Sequence, residues 1–245
     1  MAWWMIAASN QARFSLEEAE LQEAQSLTLA DAIFPRVSGD SRPLAALRDL
    51  ALMAGFAAFV AVFAQFQVRL PWTPVPVTGQ TFAVLVTGGA LGAWRGAGSL
   101  TLYGLAGTVG LPVFTPASAT TSGTWDIHLF LPWHGSHGVP WELVSGGYIL
   151  GFIFAAAVVG FLAERGWDRG AWVQVAMLLG SAVVYIPGVL WLGHELHVSF
   201  SRSLELGLYP FIAGDLMKLL LAATVLPGAW VVVRATRIKQ QGNRP

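Results

Sequence analysis

The chain has 245 residues, with 14 Lys+Arg against 14 Asp+Glu, no cysteine, 55% hydrophobic residues and only 11% charged ones. Soluble domains carry about 25% charged residues, so a chain with less than half that share cannot cover its surface in water and is expected to lie in a membrane. The absence of cysteine excludes a disulfide framework, a cysteine-ligated zinc site and a thiol nucleophile, and the even charge balance argues against a nucleic-acid partner, which requires a surplus of Lys and Arg on one face.

Residues 1–45 form an N-terminal extension that differs in kind from the rest. Its opening MAWWMIAAS is too short to span and lacks the basic start of a signal peptide. Ser15 and Glu18 then have the spacing of a capping box, opening an acidic helix that runs to Phe34, just before Pro35. This helix is expected on the inner surface, without chemistry of its own.

The membrane domain is expected over residues 46–234. A spanning helix needs about 20 mostly apolar residues, and six such stretches emerge, at 50–66, 80–93, 97–111, 147–163, 171–192 and 208–233. Arg95 is the one charged residue between Leu70 and Trp125, so the second and third spans are read as a hairpin turning at Trp94-Arg95-Gly96. Short, Gly-rich helices suit a bundle that encloses a cavity. A long outer loop, rich in Thr, Ser, Gly, Pro and Trp, joins the third span to the fourth from Thr115 to Trp141, and residues 235–245 are a basic tail. The fold class expected is therefore an all-α integral membrane protein of six transmembrane helices.

Orientation follows from the distribution of positive charge. With the N-terminus inside, every Lys and Arg falls on the inner side except Arg69 and Arg202, which are outer, and Lys218, which lies within the last span. Both termini are then cytoplasmic. Trp72, Trp141 and Trp191 at the outer boundary and Trp94, Trp172 and Trp230 at the inner one fit an aromatic belt.

Several patterns invite chemistry and fall short of it. His128, His134 and His137 lie on a Gly/Pro loop without metal-ligand spacing, and a solvated loop is the better reading. His194 and His197 flank Glu195-Leu196 and are three residues apart, where a zinc protease helix needs four. The chain has only two lysines, Lys218 and Lys239, and no Gly-Lys dipeptide, so it carries no phosphate-binding loop.

The strongest chemical signal is Pro210-Phe211-Ile212-Ala213-Gly214-Asp215-Leu216-Met217-Lys218. Asp215 and Lys218 share a helix face, and ionisable residues within a span face a cavity and mark function. The same pair could instead serve as an internal structural ion pair. As a receptor, it matches a ligand with donors and an acceptor side by side, such as a cyclic urea. Pro71-Trp72-Thr73-Pro74-Val75-Pro76 forms a stiff extended outer loop that is either a lid or a rigid connector. Ala54/Ala58, Ala57/Ala61 and Gly88/Gly92 are small-xxx-small pairs, available for internal packing or for docking a partner subunit.

The ordered motifs VPVTGQTFAVLVTGGALGAWRGAGSLTLYGLAGTVGLPVF, SGGYILGF and YPFIAGDLMK resemble the BioY family, the biotin-specific S components of energy-coupling factor (ECF) transporters. The resemblance runs from about Leu47 to Val233. It implies an S-component bundle in a bacterial cell membrane that binds biotin from outside as its transported ligand, without a cofactor. Its partners would be a transmembrane T component and two ATPase subunits, although similar proteins sometimes occur without a dedicated energising module. On this reading Asp215 and Lys218 hold the ureido ring, Gln80, Tyr103 and Tyr148 line the pocket, Trp72, Thr73, Pro74 and Pro76 form the lid, and Ala54 and Ala58 dock the T component. The chain departs from the family at Leu143-Val144-Ser145-Gly146-Gly147-Tyr148, where the family commonly reads G-P-T-G-G-Y, and in its longer outer loop.

Other readings stand beside this one. Another vitamin S component or a self-sufficient permease would share the same architecture. A membrane-embedded enzyme would need a nucleophile with its base, or a metal cluster, at membrane depth, and apart from Asp215 and Lys218 the spans carry no such set.

Overall fold

A computed structural model of the chain describes residues 28–35, 42–116, 125–129 and 131–242. The short helix α1 (Leu29–Ile33) precedes α2 (Arg42–Ala64), strands β1 (Gln67–Arg69) and β2 (Val77–Thr78), and the helices α3 (Gln80–Leu91) and α4 (Ala93–Thr108). After β3 (Asp126–His128) come a 3-10 turn at Pro140–Glu142, α5 (Gly146–Ala163), α6 (Val173–Leu196), the short α7 (Phe200–Gly207), a second 3-10 turn at Tyr209–Phe211, and α8 (Ile212–Gly242).

Helices α2 to α6 and α8 stand where the six apolar stretches lie. Among the described residues four stretches are long and apolar enough to cross a membrane unaided: Arg42–Ala64, Gly146–Ala163, Val173–Leu196 and Phe200–Thr236. The 12 residues of α3 reach only about 18 Å, short of an apolar layer of about 30 Å. The chain just before it, the bend at Pro74-Val75 and strand β2, lines the cavity described below.

Four expectations are corrected. The first long helix starts at Arg42 rather than at Leu50, because Arg48 and Asp49 are ion-paired and do not interrupt it. The hairpin turns at Gly92, whose φ of +84° suits glycine, and Trp94-Arg95-Gly96 lies in the first turn of α4. The acidic helix does not run unbroken to Phe34: Thr28 is extended and caps a new helix, its Oγ1 accepting from the Asp31 N–H. Ser15 and Glu18 lie outside the described residues. Finally, the fold is not wholly helical, since β2, β1 and β3 form a small antiparallel sheet in which Gln67 faces Thr78 on one side and His128 on the other.

The bundle is organised around α5, which packs most extensively on α6 and then on α4 and α3. Close approach needs glycine here: a Cβ on Gly151 would lie 2.6 Å from the carbonyl oxygen of Val184 on α6. One apolar cluster, including Val60, Val84, Leu100, Ala155 and Val184, lies beneath the sheet. A second, including Leu85, Val159, Met177, Leu226 and Trp230, fills the other end. Outside them, Phe154, Leu178, Ile186, Leu220 and Val231 are exposed, an apolar exterior that suits lipid rather than water.

The end opposite the sheet is closed by charge. Arg95, buried on α4, donates to both carboxylate oxygens of Asp31 at 2.8 and 2.5 Å, to Thr28 Oγ1 at 2.9 Å and to Asp49 at 3.3 Å. Arg48 donates to Asp31 at 2.8 Å and to Asp49 at 3.0 Å. Leu29 and Ala30 are buried beside this network, so α1 is seated by apolar contact and by charge together. Nearby, Asp168 is fully buried and accepts from the indole of Trp230 and from Arg169. Trp230 is thus a packed residue rather than part of an aromatic belt, and Trp191 donates to the Leu143 carbonyl at 3.0 Å. Trp72, Trp94, Trp141 and Trp172 are exposed.

Burial alone would raise the Asp31 pKa, but the hydrogen bonds from Arg95, Arg48 and Thr28 outweigh it and hold the carboxyl well below its ordinary value of 3.8. A depressed carboxylate stabilises the folded state above its unfolded pKa, and that contribution is lost as pH falls below 3.8 toward the folded value. Asp31→Asn removes it at every pH and leaves Arg48 and Arg95 sharing Asp49. With 21% of the Asp31 side chain still exposed, the expected cost is about 1–3 kcal/mol, below that of breaking a fully buried pair. Amide exchange over residues 29–34 should accelerate by on the order of tenfold in this variant, and unchanged protection would show that apolar contact alone seats α1.

Candidate ligand-binding site

The cavity lies beneath the sheet and offers about 600 Å³ of space, counting its open mouth. Its walls come from strand β2, five helices, the 3-10 turn before α8 and the loops between them. Val75, Pro76 and Thr78 descend from the proline-rich loop, Gln80 and Thr81 open α3, Tyr103 comes from α4, and Phe114 and Thr115 follow it. Ser145, Tyr148, Ile149 and Phe152 stand on α5 or at its start, Val184 and Tyr185 on α6, and Phe211, Asp215 and Lys218 at the head of α8. The five residues singled out as ligand contacts from the sequence, Asp215, Lys218, Gln80, Tyr103 and Tyr148, all line this one cavity.

Their polar atoms are used differently. Lys218 Nζ donates to Asp215 Oδ1 at 2.7 Å, the two side chains keeping 17% and 10% exposure. The pair thus sits in a largely apolar wall yet stays accessible from the cavity. The ammonium keeps two N–H groups beyond the one Asp215 receives, and the carboxylate keeps lone pairs. Gln80 and Tyr103 are committed mainly to each other: Thr78 donates to Gln80 Oε1 at 3.0 Å, Gln80 Nε2 donates to Tyr103 Oη at 2.7 Å, and Tyr103 donates to the Val113 carbonyl at 3.2 Å. This chain of bonds pins the start of α3 to the loop after α4 and leaves one Gln80 N–H to spare. Tyr148 donates to the Gly207 carbonyl at 2.7 Å, which makes its ring an aromatic wall rather than a free polar contact.

The proline-rich loop is not the extended segment expected: it turns at Pro71-Trp72, where the Thr73 N–H donates to the Leu70 carbonyl at 3.4 Å, and bends at Pro74-Val75 before it reaches the cavity. Thr73 Oγ1 donates to the Leu206 carbonyl at 2.6 Å, tying the loop to α7, while Val75 is buried and Pro76 faces the cavity. Trp72 is exposed and meets Trp125 edge to face at 5.3 Å between ring centres. Pro74 lies between Thr73 and the buried Val75. Elsewhere, the rings of His128 and His134 stack at 5.3 Å, and among the described residues no group of His, Asp and Glu is arranged to hold a metal ion.

On α2 the two alanine registers separate. Ala61 is buried and Ala57 packs on the core, whereas Ala54 and Ala58 are exposed beside Gly55, which has open space around its Cα. In the hairpin, Gly88 packs against Ala156 and Gly92 makes the turn. Sequence reasoning missed Tyr185, whose hydroxyl donates to Asp215 Oδ2. The available signal was a phenol in the otherwise apolar run Val183-Val184-Tyr185-Ile186.

These features define a multi-pass helical membrane protein with a cavity at one end, bordered by the proline-rich loop. The fold is similar to the crystal structure of the S-component for biotin from an ECF-type ABC transporter, with a TM-score of 0.61 and 23% identity over 81% of this chain and 95% of that one. The BioY family model matches residues 36–125 and 129–235. A probable biotin transporter BioY of Pyrococcus horikoshii is 32% identical over 80% of this chain and 98% of its own length. The biotin transporter BioY of Thermotoga maritima is 32% identical over 73% of this chain and 94% of its own, and that of Rhizobium etli is 30% identical over 72% and 89%. The chain belongs to the BioY family. Helix α1 and Asp31 lie ahead of the residues that the family model matches, while Arg48, Asp49 and Arg95 lie within them.

Proposed function

We propose that this chain is the substrate-capture subunit of a biotin uptake system, a transporter component and not an enzyme. It binds biotin from outside the cell and works with a transmembrane T component and two ATPase subunits. The observation that carries the reading is the Asp215–Lys218 pair, 2.7 Å apart and facing an otherwise mostly apolar cavity, in a chain whose relatives are named biotin transporters. A cyclic urea presents two N–H donors that suit Asp215 and a carbonyl acceptor that suits Lys218, while Tyr148, Phe152 and Phe211 supply apolar walls for the thioether ring and the aliphatic chain. Gln80 and Tyr103 frame the site, and Trp72, Thr73, Pro74 and Pro76 form its lid.

The membrane arrangement proposed is six crossings in the cell membrane with both termini cytoplasmic. It is supported by the inner bias of Lys and Arg and by α3, too short to cross alone, being preceded by chain that lines a cavity, the setting in which non-helical backbone is tolerated at membrane depth. Residues 1–45 are then a cytoplasmic extension and 235–245 a basic cytoplasmic tail. Mass spectrometry of the small molecule that copurifies with the chain tests the substrate. Biotin at one per chain is expected, and another vitamin in its place would refute the assignment.

A further inference from the structure

The bonding at Asp215 goes further than an ion pair, and the inference rests on the biotin reading above. Asp215 lies on α8, is buried, and receives donors from two directions: Lys218 Nζ on Oδ1 from its own helix and Tyr185 Oη on Oδ2 from α6. An ionised carboxylate has about four acceptor positions. With Lys218 and Tyr185 in place two remain, one for each ring N–H of a cyclic urea. Tyr185 reaches Asp215 from a ring held by its surroundings: it meets Tyr148 edge to face at 6.1 Å, and its other side borders an apolar groove lined by Ile186, Leu190, Phe200 and Leu204. That groove offers the hydroxyl no polar partner.

We propose that Tyr185 is a positioning residue for ligand selection. Its hydroxyl fixes the rotation of the Asp215 carboxylate so that the two free acceptor positions point into the cavity, and the site thereby selects ligands presenting two adjacent N–H donors. A carboxylate held only by Lys218 could rotate about its Cβ–Cγ bond and would bind such donors after paying that freedom in conformational entropy. Tyr185 removes the cost in advance.

The test is Tyr185→Phe in the full chain, with equilibrium binding of biotin and of a biotin analogue carrying CH2 in place of both ring N–H groups. The phenyl ring keeps the wall intact. Biotin affinity should fall by on the order of tenfold, the size of one hydrogen bond to a charged group, while the weak affinity for the analogue changes by less than about twofold. In an Asp215→Asn background, Tyr185→Phe should cause little further loss. Equal losses for biotin and analogue would make Tyr185 a packing residue and overturn the inference, as would wild-type biotin affinity in Tyr185→Phe. If the wild-type chain bound no biotin, the substrate reading itself would fall, a result distinct from tight wild-type binding that is indifferent to residue 185.

Discussion

Replacing Asp215 by Asn should lower biotin affinity by on the order of 100-fold or more, corresponding to about 3 kcal/mol. The variant keeps the shape of the carboxylate and one acceptor oxygen. It removes the charge, presents an NH2 group toward a ligand that also offers N–H donors, and leaves Lys218 without the anionic partner it has at 2.7 Å. Hydrogen bonds to a charged group contribute about 1.5–3 kcal/mol each, and an ammonium stranded in a mostly apolar wall adds a further cost. Lys218→Met should be comparably damaging, because it removes the donor to the ureido oxygen and leaves Asp215 as an unpaired buried anion. Equilibrium binding to purified protein measures both. An analogue without the ring N–H groups separates ligand recognition from structural pairing: it should bind wild type poorly and lose little more in Asp215→Asn. Wild-type biotin affinity in a folded Asp215→Asn protein would remove Asp215 from the site.

The second large effect concerns coupling rather than capture. Ala58→Trp should abolish transport and recovery of the complex with energising subunits while leaving biotin binding by the isolated chain within about twofold. Ala54 and Ala58 are exposed on α2 next to Gly55, and small side chains on an exposed helix face allow a second helix to approach closely. An indole there fills the space a partner helix would occupy but points away from the cavity. Ala61→Trp is the control with the opposite signature: Ala61 is buried in the apolar cluster, so a large ring should destabilise the bundle and reduce ligand binding as well. Copurification with the T component, read beside biotin binding, decides between the two. Loss of biotin binding in Ala58→Trp would make this face part of the internal packing.

What the sequence disclosed depended on the range of the interaction concerned. The long helices were legible because an apolar run of spanning length permits few other structures, and Asp215 and Lys218 stood out as the charges inside such a run. The turn at Gly92 was misplaced by three residues' context: Arg95 reads as a solvated loop residue, yet its charge is met by Asp31 and Asp49 from distant parts of the chain. The same long-range pairing hid the start of α2 at Arg42 and the seat of α1. Strands of two and three residues are too short to establish an alternating pattern, so the sheet over the cavity was invisible. Which alanine register faces outward on α2 is likewise set by what packs on the helix, here the core around Val60. Tyr185 escaped notice because a tyrosine in a span is ordinary, and its significance appears only when α6 and α8 bring its hydroxyl to Asp215.

The central claim is that the Asp215–Lys218 pair reads the ureido ring, and a structure of the full chain with biotin bound tests it most directly. The account predicts one biotin beneath the proline-rich loop, its ring N–H groups within hydrogen-bonding distance of the Asp215 carboxylate and its ureido oxygen on Lys218 Nζ, with Tyr185 still on Asp215 and the aliphatic chain running along Tyr148 and Phe152. A biotin turned end for end, its carboxylate on Lys218 and its ureido ring elsewhere, or a biotin outside this cavity, would contradict it.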